Sequence, residues 1–113
     1  MLTIYHNPRC TKSRQTLERI REAGQEPQIV EYLKDTPTAE ELKALLSKLG
    51  IGPQDLLRKG EAIYKEQYKG KELSDEEWVE AMIAHPKLIE RPIVVKGDKA
   101  VLGRPPENVD ALL

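Results

Sequence analysis

The sequence predicts a mixed α/β fold, and three observations lead to this prediction. Short apolar stretches rich in β-branched residues stand near both ends of the chain, a helical pattern joins the first two of them, and the middle of the chain is helical in character. The length of 113 residues suits one ordinary domain. We therefore expect a single domain over residues 1–113.

The first third of the chain predicts a strand, a helix and a second strand. Residues 2–5 are typical of a short strand, and Asn7-Pro8 interrupts regular structure after it. Residues 11–23 carry apolar side chains on one helical face, with a glycine placed to end the helix. Residues 28–33 alternate weakly and predict a second strand. Because a helix joins the two strands, we expect them to be parallel.

A helical insert is predicted at about residues 38–84. Thr38 and Ser74 each precede a glutamate by three residues, which is the capping-box pattern that marks a helix start. A further short helix is expected over residues 53–59, where a proline stands first. The first capping box is followed by leucines at helical spacing, at positions 42, 45, 46 and 49.

The last quarter of the chain predicts a hairpin and a final helix. Residues 92–95 are apolar and β-branched, Gly97-Asp98 is a tight-turn signal, and residues 100–102 supply the partner strand. Pro105-Pro106 is expected to open a last helix. The order βαβ, helical insert, ββα is that of a thioredoxin-like domain with a mixed sheet, and it makes the last helix an α-helix.

Composition and charge exclude several classes of function. Eighteen Lys and Arg against nineteen Asp and Glu give a net charge of −1, so no global field would hold the chain on nucleic acid or an anionic membrane. No apolar run approaches the roughly 18–20 residues of a membrane helix, and the first residues lack the pattern of a secretory signal. We expect a cytoplasmic monomer. One cysteine and two histidines allow neither an internal disulfide nor an ordinary zinc site. We expect no metal and no bound cofactor.

Cys10 is the candidate nucleophile. It stands just before the first predicted helix, with Ser13 where a Cys-x-x-Cys pair would have its second thiol. A helix N-terminus and nearby cations lower the pKa of a thiol, and Arg9, Lys12 and Arg14 flank this one. The alternative is a buried, inert cysteine, which is the usual state of a lone cysteine in a cytosolic protein.

Three arginines are candidate ligands for an oxyanion. The cysteine loop is not a phosphatase loop, because Thr16 stands where the Cys-x5-Arg pattern requires arginine. An anion would therefore have to be held from elsewhere, and Arg58, Arg91 and Arg104 lie close to prolines or at the end of an apolar stretch. Each is alternatively a solvated surface charge. His6 either orients the loop or stabilises the thiolate, or it is a hydrogen-bonded structural residue.

Residues 6–17 resemble the signature of the glutaredoxin-dependent arsenate reductase family. That signature is His-Asn-Pro-x-Cys followed by Ser-Arg and Thr-Leu, and this chain reads His-Asn-Pro-Arg-Cys-Thr-Lys-Ser-Arg-Gln-Thr-Leu. Longer members carry Gly-Thr after the cysteine, where this chain has Thr11-Lys12. The chain resembles the short, single-cysteine members, and the likeness extends over four further segments: Tyr32-Leu33, Leu56-Leu57-Arg58-Lys59, Glu90-Arg91-Pro92-Ile93-Val94-Val95 and Gly103-Arg104-Pro105-Pro106.

The resemblance implies a role for each candidate residue. The thiolate of Cys10 would attack the arsenic of arsenate, while the guanidinium groups of Arg58, Arg91 and Arg104 would hold the oxyanion. The resemblance also implies a cis peptide bond before Pro92, next to the thiol. Supporting roles fall on four residues: His6, Asn7, Ser13 and Pro92.

The resemblance also implies the partners of the reaction. Glutathione, as co-substrate, would displace arsenic from the adduct, arsenite would leave, and glutaredoxin would reduce the mixed disulfide of Cys10 with glutathione, a cycle that serves arsenic detoxification. One protein thiol is enough for this cycle, because the others come from outside. Two alternatives remain open. One is a thioredoxin-fold regulator that binds a protein partner, although such proteins commonly carry a Cys-x-x-Cys switch, and the other is a general glutathione-linked thiol oxidoreductase.

Overall fold

The computed structural model describes residues 1–113, which form two compact units. The first unit consists of Met1–Asp35 and Arg91–Leu113, and the second is Thr36–Glu90, which takes in the predicted insert. No helix is long and apolar enough to cross a membrane. Whether both units form one cooperative domain stays a prediction.

The first unit is built on a four-stranded mixed sheet, as predicted. The strands are β1 (Leu2–Tyr5), β2 (Gln28–Val30), β3 (Ile93–Lys96) and β4 (Lys99–Leu102), in the spatial order β2-β1-β3-β4. β1 pairs with β2 in parallel, and β3 is antiparallel to both β1 and β4. The β3–β4 hairpin turns at Gly97, whose φ of +63° suits glycine. These findings confirm the thioredoxin-like arrangement.

Helix α1 (Thr11–Glu22) connects the parallel strands and packs against the sheet. Its buried residues Leu17 and Ile20 join Ile4 and Val94 in one apolar core. The end of the chain adds Val109 and Leu112 to the same core. Burial of these side chains removes apolar surface from water, which is the main force that holds the helix on the sheet.

Two elements of the first unit differ from the prediction. Strand β2 ends at Val30 and not at residue 33, because the chain turns immediately: the backbone N–H groups of Lys34 and Asp35 both donate to the carbonyl of Glu31. The last helix is a 3₁₀ helix, Pro106–Leu112, and not an α-helix. Its buried residues recur every third position, which matches the three-residue turn of that helix: Pro106, Val109 and Leu112.

The second unit contains α2 (Ala39–Leu49) and α3 (Asp75–Ala84). Both predicted capping boxes are present, since the side chains of Thr38 and Ser74 each accept from a backbone N–H three residues on, and the glutamates there accept in return. The short helix expected over residues 53–59 is a 3₁₀ turn, Pro53–Leu56. Two shorter helical segments complete the unit, a π-helix at Tyr64–Tyr68 and a 3₁₀ turn at Pro86–Leu88.

Candidate active site

The sheet register brings three loops of the first unit to the same end of the strands. Tyr5 at the end of β1 pairs with Ile93 at the start of β3, and Ile93 pairs with Leu102 at the end of β4. The loop after β1 carries Cys10, the residue pair before β3 includes Arg91, and the segment after β4 carries Arg104. Antiparallel pairing thus places residues from distant parts of the sequence at one end of the sheet.

Cys10 is the N-cap residue of α1. Its backbone is extended, with φ −92° and ψ 122°, and its carbonyl accepts from the N–H of Arg14 at 3.0 Å, which begins the helix. Its own N–H donates to the carbonyl of Asn7 at 3.0 Å, and the side-chain oxygen of Asn7 accepts from the N–H of Arg9 at the same distance. The thiol is half-buried and lies at the positive end of the helix dipole.

His6, Asn7 and Ser13 form a buried network beneath the loop. The Ser13 hydroxyl lies 2.6 Å from Nδ1 of His6 and accepts from the N–H of Asn7 at 3.0 Å. Burial lowers the pKa of His6, an effect that Glu31 opposes and that Arg21 and Arg14 reinforce. A neutral imidazole is the form that can accept the hydroxyl proton of Ser13. His6 therefore supports the loop through its hydrogen bond with Ser13.

Arg14 holds the loop from its exposed side. Its Nη1 donates to the carbonyl of Pro8 at 2.9 Å, and its Nη2 donates to the hydroxyl of Thr11 at 3.2 Å. These two acceptors lie on either side of Cys10 in the sequence. The sequence marks Arg14 as a flanking cation without showing where it points, and the structure directs it to the loop.

Two of the three predicted arginines lie at the thiol. Nη1 of Arg104 is 3.8 Å from Sγ of Cys10 and donates to the carbonyl of Arg91 at 3.2 Å. The side chain of Arg91 is buried and donates a hydrogen bond to the thiol. The Arg91–Pro92 peptide bond is cis, as expected. The bond between Arg104 and Pro105 is also cis, whereas the resemblance implies a cis bond only before Pro92.

The surroundings of Cys10 favour the thiolate. Burial acts to raise the pKa of the thiol, but hydrogen bonds from the Ser13 backbone, the hydrogen bond and charge of Arg91, and the Lys12 backbone outweigh it. The pKa therefore lies below its ordinary value. A nearby guanidinium and a helix N-terminus are the standard means of activating a cysteine, and they argue against an inert buried thiol.

Arg58 lies in the second unit, where two carboxylates hold it. Its Nε is 3.2 Å from the carboxylate of Glu61, and its Nη1 is 3.3 Å from that of Glu90. Its backbone N–H donates to the carbonyl of Leu88 at 2.7 Å. Its role as an oxyanion ligand stays a prediction. No group of three or more His, Cys, Asp or Glu side chains in the chain is arranged to hold a metal ion.

Comparison with known proteins identifies what this site is similar to. The model of the ArsC family matches residues 5–112. The chain is 49% identical over 108 residues to the uncharacterized protein YfgD of Escherichia coli, covering 94% of this chain and 91% of that protein. It is 44% identical over 113 residues to the arsenate reductase of E. coli, covering 99% of this chain and 80% of that protein.

A solved structure supports the same relationship. The arsenate reductase from Vibrio cholerae superposes with a TM-score of 0.95 at 47% identity, covering 99% of this chain and 97% of that one. This likeness extends over the whole of the fold described above.

Proposed function

The chain belongs to the ArsC family, and from that premise we propose that it is an arsenate reductase with Cys10 as nucleophile. The observation that carries the proposal is the convergence of Arg91 and Arg104 on a thiol at a helix N-terminus. A thiolate and an oxyanion are both negative, so their reaction needs cations that stand at the point of contact. Arginine suits this task because its planar donors match the oxygens of a phosphate-like anion.

Arg104 is placed to serve the thiol and the substrate together. Only its Nη1 is engaged, by Sγ of Cys10 and the carbonyl of Arg91. A guanidinium has five N–H groups in a fixed fork, so Nη2 and Nε keep donors for oxygens of arsenate bound beside the sulfur. Arg91 would supply a second guanidinium, and we propose Arg58 as the third.

The proposed reaction balances in three steps. The thiolate of Cys10 forms a bond to arsenic, and an arsenate hydroxyl group takes up a proton from solvent and leaves as water, with no change in the oxidation state of arsenic. A glutathione thiolate then attacks Sγ, the sulfur–arsenic bond breaks, and its electron pair stays on arsenic, which leaves as arsenite. The thiolate of glutaredoxin finally attacks the glutathione sulfur of the mixed disulfide and releases Cys10. Two thiols are oxidised for each arsenic atom reduced by two electrons.

The proposed partners agree with the single cysteine. An intramolecular disulfide would need a second thiol, and Ser13 occupies the position where one would stand. The hydroxyl of Ser13 is instead part of the network with His6. We propose a cytoplasmic location, because glutathione and glutaredoxin keep thiols reduced there.

The test is a coupled assay of NADPH oxidation with arsenate, glutathione, glutaredoxin and glutathione reductase. The native chain should turn over arsenate, and Cys10→Ser should lose turnover, because a hydroxyl of much higher pKa cannot replace the thiolate. Omission of glutaredoxin or of glutathione should each remove the activity.

Two outcomes would contradict the proposal. Arsenate turnover that persists in Cys10→Ser would remove this residue from the chemistry. Turnover of a small glutathione mixed disulfide by the native chain, without turnover of arsenate, would indicate a general thiol oxidoreductase. Circular dichroism of both proteins serves as the control for folding.

A further inference from the structure

The backbone at Gly103 packs so closely against Thr16 and Pro92 that a residue with a Cβ atom would not fit. A Cβ atom built there would lie 2.5 Å from Oγ1 and 2.9 Å from Cγ2 of Thr16, and 2.8 Å from Cγ of Pro92. Real Cβ atoms do not approach other heavy atoms so closely. Gly103 therefore fills a gap between helix α1 and the cis proline that a larger residue would force open.

Hydrogen bonds also hold the contact of Gly103 with Thr16 and Pro92, which we call the junction. The N–H of Gly103 donates to the carbonyl of Pro92 at 2.9 Å. The hydroxyl of Thr16 lies 3.2 Å from the carbonyl of Gly103 and 2.8 Å from that of Lys12, and its one proton serves these two acceptors. Thr16 is fully buried, so no water can replace its hydroxyl at the carbonyl of Gly103.

The junction lies one residue from each arginine at the thiol. Arg104 directly follows Gly103, and Arg91 directly precedes Pro92. Thr16 is on the helix that Cys10 caps, less than two turns from the thiol. We infer that Thr16 is a positioning residue that, through Gly103, holds the arginine-bearing segments in register with Cys10. The consequence for arsenate rests on the proposed function.

Ile20, one turn further along α1, shows how this role differs from core packing. Ile20 is also fully buried, and it belongs to the apolar core between the helix and the sheet. Thr16 does not belong to that apolar cluster, and its hydroxyl lies within hydrogen-bonding distance of the carbonyl of Gly103. Truncation of the Ile20 side chain should therefore lower the stability of the fold. Truncation of the Thr16 side chain should instead displace the arginines from Cys10.

The experiment compares Thr16→Ala with Thr16→Ser, which differ only by the hydroxyl group. Thr16→Ala should raise the KM for arsenate about tenfold with a smaller change in kcat, because small displacements of binding groups cost large factors. Thr16→Ser should stay within about twofold of the native chain. Gly103→Ala should raise KM further, because its Cβ must displace Thr16 or Pro92.

A second measurement does not depend on arsenate. The rate of iodoacetamide alkylation against pH gives the pKa of Cys10, which should rise in Thr16→Ala and Gly103→Ala as the guanidinium groups move away from the sulfur. Thr16→Ser should keep the native profile. Ile20→Val is the matched control, a buried truncation on the same helix face that should lower stability and leave both KM and the alkylation profile unchanged.

The outcomes separate this inference from the proposed function. If the native chain fails to reduce arsenate, the proposed function fails, and the alkylation profiles alone decide the inference. If Thr16→Ala is folded and matches Ile20→Val and Thr16→Ser in the alkylation profile and, where arsenate is reduced, in KM, the positioning role is wrong. Gly103→Ala is not needed for this decision, so its failure to fold would not obscure the result.

Discussion

Replacement of Arg104 by methionine should reduce the fraction of Cys10 that is present as thiolate. Nη1 of Arg104 is 3.8 Å from Sγ, and Coulomb's law at that distance gives about 1 kcal/mol of thiolate stabilisation even at the dielectric constant of water. This energy corresponds to about a fivefold change in the equilibrium between thiol and thiolate. Partial burial of the thiol strengthens this interaction, whereas dissolved salt weakens it, so about 1 kcal/mol is the expected size of the effect.

The assay is the rate of iodoacetamide alkylation across a pH series at about 0.15 M salt, where screening acts over roughly 8 Å. The midpoint of the pH profile should lie about 0.7 pH units higher for Arg104→Met, since only the thiolate reacts and a fivefold change in the equilibrium between thiol and thiolate moves the midpoint by that amount. Arg21→Met is the matched control. It removes the same charge from an exposed position about 16 Å along the same helix, where Arg21 is paired with Glu26. Equal alkylation profiles for Arg104→Met and Arg21→Met would refute the electrostatic argument.

Three further predictions concern the anion site, a helix cap and pH. Arg91→Lys should raise the KM for arsenate about tenfold in the coupled assay, because the charge remains while the planar donor geometry is lost; an unchanged KM would place Arg91 outside the site. Thr38→Ala should lower the free energy of unfolding in urea by about 1 kcal/mol through loss of the cap, with unchanged turnover; an unchanged urea midpoint would contradict the role of the cap. Burial lowers the pKa of His6 below its ordinary 6.5, so its contribution to stability is complete above that pH and is lost as pH falls. When the pH is lowered from 7.5 to 5.5, the urea midpoint should therefore decrease by more in the native chain than in His6→Gln. Equal decreases would show that the titration of His6 does not contribute to the loss of stability.

Local signals in the sequence were sufficient for most of the fold. The capping boxes at Thr38 and Ser74 and the turn at Gly97 each depend on a few neighbouring residues, and all three are present. The prediction makes strand β2 too long because Tyr32 and Leu33 continue the apolar pattern beyond the point where the chain turns. Tyr32 is buried outside any strand, so its apolar character reports burial and not strand structure.

The prediction gives the last helix the wrong type for a related reason. Val109 and Leu112 are three residues apart, a spacing that both an α-helix and a 3₁₀ helix can place on one face. The buried Pro106 extends the repeat of three and indicates the tighter helix, but a proline at a helix start is expected in either type. Packing against α1 and the sheet decides between them.

The site itself could not be deduced from spacing along the chain. Cys10 and Arg104 are 94 residues apart, and no sequence pattern links them. Their proximity depends on the register, in which Tyr5, Ile93 and Leu102 align across three strands. The loops that follow Tyr5 and Leu102 and the loop that precedes Ile93 therefore lie together at the same end of the sheet. The contact of Thr16 with Gly103 has the same origin, since the two residues are 87 positions apart. Only the resemblance to a family could assign the arginines before the register was known.

The register also explains how a chain with a net charge of −1 can carry the proposed site for an anion. An overall positive charge would attract anions without selecting a reaction, whereas two guanidinium groups at one thiol would act only where the proposed bond forms. Because the carbonyl of Arg91 accepts from Arg104, a displacement of either segment disturbs both cations at once. A site assembled from separate loops therefore needs a fixed junction behind it, and Gly103 packed between Thr16 and Pro92 occupies that place.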